Sequence, residues 1–150
     1  MKKLFSFLAV AFALLSFSAK AQSTSIKIIN NSSCQVCFIL EGATGPRCLP
    51  IVAKSKVICV PAGGTVTFAS TNVAPFSPPL TGGLFVGLCW FNHDPSACPD
   101  VPLDSRCIVD KCAGSPQTDK LLLYNADCKE CATVTGTWTS SGTMATVVFM

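Results

Sequence analysis

Three groups of residues in this chain have types and spacings that could do chemistry. The first is a pair of C-x-x-C motifs, Cys34-Gln35-Val36-Cys37 and Cys128-Lys129-Glu130-Cys131. The second is the lone histidine, His93, next to Asp94. The third is a run of aspartates at Asp94, Asp100, Asp104 and Asp110. Two C-x-x-C pairs can hold zinc through four thiolates, and one such pair can exchange disulfides when it opens a helix. Here Cys37 runs into Phe38-Ile39-Leu40 and Cys131 into alternating Thr and Val, both strand-like contexts. Six further cysteines accompany them: Cys48, Cys59, Cys89, Cys98, Cys107 and Cys112. An even count of 10 reads as a framework of five disulfides rather than a redox or zinc site.

His93 and Asp94 are adjacent, and adjacent residues seldom orient each other as a catalytic triad requires. No G-x-S-x-G accompanies them. His93 therefore reads as a solvent-exposed loop histidine. The four aspartates could gather around calcium, but their spacing matches no calcium loop, so they read as solvated turn-formers. Trp90 and Trp138 fall in strand candidates and could form a ligand-stacking platform. Trp90 has apolar neighbours and reads as core, whereas Trp138 sits among threonines and stays open between core packing and a half-exposed platform. Asn30-Asn31-Ser32-Ser33 contains overlapping N-x-S sequons. No catalytic residue, metal ligand or cofactor ligand is assigned, and no cofactor is expected.

The elements that must position these residues are short strands. Met1-Lys2-Lys3, an apolar run over 4–17, and Ala19-Lys20-Ala21 form a secretory signal peptide pattern. The run is shorter than the ~20 residues of a comfortable membrane span, and no later segment is long enough. Residues 22–150 then make a single disulfide-rich β domain. Of 11 Lys and Arg, three lie in the signal, leaving 8 against 8 Asp and Glu. That neutrality removes the electrostatic case for nucleic acid or an anionic membrane as partner.

Strands are expected over 25–31, 34–40, 56–60 and 65–69, the last with Val66 and Phe68 on one face. Residues 70–83, with Pro75, Pro78, Pro79, Gly82 and Gly83, fit neither a helix nor a central strand. Residues 84–91 are apolar on both faces and belong deep in the core. Residues 89–112 read as a long irregular loop tied down by disulfides. Residues 120–124 remain open between a strand and one helical turn. Residues 132–139 and 143–149 form a hairpin about Ser140-Ser141-Gly142. No amphipathic helix or internal repeat is found. The fold class is all-β: a disulfide-rich antiparallel β-sandwich, with a small barrel as the alternative.

The signal peptide, the opening Ile28-Ile29-Asn30-Asn31-Ser32-Ser33-Cys34-Gln35-Val36 and the cysteine-studded β domain resemble uncharacterised secreted β-sandwich proteins of bacteria. The opening strand is also similar to that of thaumatin-like proteins. That family is longer, richer in cysteine and carries an acidic cleft, which maps onto no residues here. The resemblance implies no site residues.

Strand geometry constrains the pairing. In an extended segment, Cys34 and Cys37 stand about 10 Å apart and point to opposite faces. A disulfide needs Cα atoms within about 7 Å. Separate partners are therefore expected, with Cys37 bonding Cys48, Cys59 or Cys89. A local Cys128–Cys131 bond stays open, because Lys129-Glu130 could turn.

Three functions fit these residues. The favoured one is a secreted or cell-surface, non-enzymatic module binding an extracellular protein or carbohydrate through its loops. The alternatives are a small secreted hydrolase or metal-dependent enzyme, and a subunit of an extracellular assembly. One histidine, two glutamates (Glu41 and Glu130) and no nucleophile motif argue against the enzyme. Mass spectrometry of protein from the producing cell is expected to find a chain beginning at Gln22; a membrane-bound product retaining Met1 would overturn the export reading.

Overall fold

A computed structural model describes residues 23–45, 51–71, 76–110 and 117–150. The expected signal peptide, Cys48 and Cys112 lie outside these residues. The described residues form ten strands and no helix. In chain order these are β1 (Ser25–Asn30), β2 (Val36–Thr44), β3 (Ala53–Lys54), β4 (Ile58–Val60), β5 (Thr65–Phe68), β6 (Gly83–Phe91), β7 (Ser105–Val109), β8 (Thr118–Tyr124), β9 (Glu130–Ser141) and β10 (Met144–Phe149). They build two sheets, one ordered β5-β1-β10-β9-β8, the other β3-β2-β6-β7 with β4 also paired to β2. Neither sheet closes on itself, so the architecture is a sandwich and not a barrel.

Alternation explains the first sheet. In β1, Ile26, Ile28 and Asn30 are buried while Ser25, Lys27 and Ile29 are less so. Val134, Gly136 and Trp138 of β9 point inward and the intervening threonines outward. The β9–β10 hairpin turns at Gly142-Thr143, with Gly142 at φ 58° where a primed turn requires a positive angle. One pairing departs from the antiparallel expectation. β1 lies parallel to β10, from Ser25 beside Met144 to Asn30 beside Phe149. Two strands from opposite ends of the chain thus become neighbours, which no hairpin connection can provide.

In the second sheet β6 is buried on both faces, as its composition requires. The core between the sheets is closed by aromatic rings. Trp90 of β6 meets Phe149 of β10 edge-on at 5.5 Å, and Phe149 also stacks on Phe38 of β2 at 6.5 Å. Such pairs add to the burial of the rings themselves. Gly136 makes that crossing possible: a Cβ there would lie 2.9 Å from Phe149 and 3.1 Å from Trp90.

Several expectations are corrected. Residues 89–112 are not irregular throughout, because β7 pairs with β6 inside them and buries Ile108. Residues 120–124 belong to a strand, β8. β2 begins at Val36, so Cys34 precedes it, and β4 covers only the end of the expected 56–60 strand. The two-residue β3 gave no sequence signal. Trp138, open between core and surface in the sequence, is 2% exposed, because the threonines beside it take the outer face.

Asn30 joins the sheets where β1 ends. It is fully buried. Its Nδ2 lies 2.7 Å from the Cys34 carbonyl and 3.0 Å from those of Val60 and Pro61, to which it donates. Its Oδ1 accepts from the Ser32 N–H and hydroxyl. A buried amide so engaged is closed to glycosylation. Asn30→Ala would remove buried bonds to the Cys34 and Val60 carbonyls, while the Ser32 hydroxyl still reaches Cys34 and the Gly64 N–H still reaches Pro61, so a loss of about 1–2 kcal/mol is expected in urea unfolding. Unchanged stability would remove Asn30 from this role.

Candidate functional site

Four disulfides are seen among the described residues: Cys34–Cys131, Cys37–Cys59, Cys89–Cys107 and Cys98–Cys128. Neither C-x-x-C pair bonds within itself. Cys37 takes Cys59, one of its three expected partners, and the local Cys128–Cys131 bond left open in the sequence does not form. Two of the bonds are rungs of the second sheet. Cys37 lies directly opposite Cys59 on β2–β4, and Cys89 opposite Cys107 on β6–β7, each with Cα atoms 4.0 Å apart. Register places Cys89 beside Ile39 and Cys37 beside Phe91, so both rungs sit on the face turned away from Phe38, Leu40 and Trp90. The other two bonds reach further. Cys34–Cys131 links the segment just before β2 to β9, and Cys98–Cys128 ties the loop at 92–104 to the turn at 125–128.

That loop carries most of the sequence's chemical candidates. Both of its ends are held by Asn92, which is buried. The Asn92 Nδ2 donates to the Pro102 carbonyl at 2.9 Å, and its Oδ1 accepts from the Asp104 N–H at 3.0 Å. Its backbone N–H donates to the Asp104 carbonyl at 3.0 Å, and its carbonyl accepts the Tyr124 N–H at 2.7 Å. The last bond attaches the loop to β8, an edge strand of the other sheet.

His93 is the clearest correction. It is 5% exposed, not a solvated loop side chain, because the loop folds back and sets its ring edge-on to Tyr124 at 6.5 Å. Its Nδ1 is buried and meets no hydrogen-bond partner among the described residues. Asp94 does not orient it. The Asp94 Oδ1 accepts the Ser96 N–H at 2.9 Å and the Ser96 hydroxyl at 2.7 Å. Those two bonds, the backbone one first, hold the Asp94 carboxyl below its usual range; burial opposes them and His93 adds a smaller pull in their favour.

The aspartates do not gather around a common point. Asp104 pairs with Arg106 at 2.8 Å. Asp110 is not solvated as expected but 2% exposed, and it accepts from the Ser140 hydroxyl at 3.2 Å. Asp94 does meet Cys37 and Cys59, the one group among the described residues with ligand atoms within 4.8 Å of each other. The two sulfurs are bonded to each other and are not thiolates, so this group is not a metal site in the oxidised protein. Of the two glutamates, Glu41 is buried and pairs with the exposed Lys54 at 3.3 Å. No group of catalytic geometry is formed by His93, Asp94 or either C-x-x-C pair.

What the arrangement does form is an open hollow of about 390 Å³ between the loop and the β8 edge, with β7 beside it. Asp104, Arg106, Lys120, Thr133 and Tyr124 contribute its polar groups. Val101, Pro102 and Leu122 give it an apolar portion. Sequence reasoning named Asp104 only as a calcium candidate and missed Arg106, Lys120 and Tyr124 altogether. The segments that carry them meet only in the folded chain. Among the described residues no helix is long and apolar enough to cross a membrane.

Compared with protein families, curated proteins and solved structures, the chain matches none.

The sign of the Asp94 shift fixes a pH dependence. Its folded-state pKa lies below the ordinary 3.8, so its contribution to stability is full above that value and is lost as pH falls toward the folded value. Ser96→Ala removes the hydroxyl bond and keeps the backbone one, so the Asp94 carboxyl is expected to titrate higher in an NMR pH series. An unchanged titration would show that the hydroxyl does not act on it.

Proposed function

We propose that this chain is an exported, non-enzymatic module that binds an extracellular protein or carbohydrate through the loop at 92–104 and the neighbouring β8 edge. The oxidising compartment follows from the four disulfides. The signal peptide pattern at the N-terminus supports export.

One observation carries the binding role: this loop is tied down both at its ends and in its middle. Asn92 closes both of its ends and Cys98–Cys128 anchors its middle. A rigid loop over an edge strand binds without first losing conformational freedom. The hollow beneath it falls in the size range of ligand sites. Its polar groups come from four separate strands and loops, held in fixed relation by the sandwich.

Replacing Cys98 and Cys128 together by serine frees the loop and leaves the other three described disulfides in place. Screened against glycan arrays and purified surface proteins, the wild-type protein is expected to retain a ligand that the double variant, with unchanged circular dichroism, binds at least several-fold more weakly. A ligand held equally well by both would move the binding surface away from this loop. Turnover of any screened compound by the wild-type protein would replace binding with catalysis.

A further inference from the structure

We propose that the ligand of the hollow beneath the 92–104 loop is an anionic saccharide, a sugar chain bearing carboxylate groups. This ligand class rests on the binding role argued above and goes beyond it.

The polar lining is arranged in a way that suits sugar hydroxyls. A hydroxyl both donates and accepts, so a vicinal pair is matched by an acceptor and a donor side by side. Asp104 and Arg106 provide this. The Arg106 Nη1 donates to Asp104 Oδ1 at 2.8 Å and to the Ser105 carbonyl at 2.9 Å, which fixes the guanidinium while its Nε and Nη2 remain without a protein partner among the described residues. The second carboxylate oxygen of Asp104 is likewise without a recorded bond. Tyr124 also lines the hollow, and an aromatic ring is the kind of surface on which the C–H face of a sugar ring packs.

The charge selects among saccharides. Asp104 and Arg106 offset each other, and Lys120 is then the net charge of the lining. Lys120 is exposed and no ion pair is seen for it among the described residues. The neighbouring Asp119 directs an oxygen to the Lys120 backbone N–H at 2.7 Å. A carboxylate on the ligand would meet the Lys120 ammonium in a charge-assisted bond.

The backbone argues against an extended acidic peptide as occupant. A peptide adding to the β8 edge needs a row of free N–H groups. The N–H of Lys120 is already given to Asp119, and that of Tyr124 to the Asn92 carbonyl. The row is therefore interrupted on both sides of Leu122, and side chains, not backbone, are what the hollow presents.

The test is calorimetric titration of the oxidised protein with a hexamer of galacturonate, a neutral galactose hexamer and hexaglutamate, at low and at physiological salt. Binding of the galacturonate alone is expected, weakening as salt rises. Lys120→Gln should weaken it about tenfold, and Tyr124→Ala should abolish it. Tyr124→Phe and the distant Lys56→Gln should leave it near wild type. Equal affinity for the neutral hexamer with loss in Tyr124→Ala would overturn the anionic class while leaving the hollow as a binding site. Binding of hexaglutamate with the same sensitivity to Lys120→Gln would overturn the saccharide. Failure of all three ligands, where the Cys98/Cys128 comparison has identified a loop-dependent ligand, would overturn this inference alone.

Discussion

The buried amide of Asn30 is the contact on which the rest of the sandwich depends. β1 enters the first sheet by ordinary alternation, and at its last residue the chain must cross to the second sheet. Three carbonyls converge there, those of Cys34 and Val60 away from water and that of Pro61 nearer the surface. Unpaired, they would carry a desolvation cost, and Asn30 shares the work of offsetting it with the Ser32 hydroxyl at Cys34 and the Gly64 N–H at Pro61. Asn30 answers them with one side chain, while its oxygen turns Ser32 into place. Cys34, now correctly placed, is bonded to Cys131 on β9. An uncharged hydrogen-bond hub and a covalent link thus fix the same end of the two sheets. The tight crossing of Trp90 and Phe149 over Gly136 depends on that spacing being constant.

From that end outward, the disulfides divide into two kinds. The rungs at Cys37–Cys59 and Cys89–Cys107 each reinforce a pair of strands already hydrogen-bonded. Cys34–Cys131 and Cys98–Cys128 join segments that no ladder connects. Only the last of the four has both of its cysteines outside the strands, and one of them is on the loop that carries the hollow. Constraint there serves the geometry of a surface more than the closure of a core.

Much of the sandwich was legible because its strands alternate or are long. β1, β5, β6 and the β9–β10 hairpin follow from period two, from β-branched content and from Gly142. The burial of Trp138 was equally available in the alternation of Val134, Gly136 and Trp138 with their threonine neighbours; attention to composition hid it. β3 was not legible because two residues are too few for a period to declare itself, and β7 because it is embedded in a stretch of prolines, aspartates and cysteines whose composition reads as loop. Their pairing is set by β2 and β6, which lie elsewhere in the chain. The hollow was invisible for a related reason: Asp104, Arg106, Lys120 and Tyr124 carry no spacing signature, and only the return of β8 beside β7 brings them together. His93 was misread because a loop sequence does not show when the loop folds back onto the body.

The parallel pairing of β1 with β10 has a mechanical consequence. Ser25 lies beside Met144 and Asn30 beside Phe149, so the two terminal strands run in the same direction and leave the domain at opposite ends. Tension applied between the ends of the domain pulls along the axis of these strands. It slides one past the other instead of peeling them apart. All the hydrogen bonds between them then bear load together, whereas in a hairpin pulled at its open end they would break one at a time. The flanking pairs of β1 with β5 and of β10 with β9 seat this shear joint inside the sheet, away from its edges. A domain joined in this way resists extension along its length.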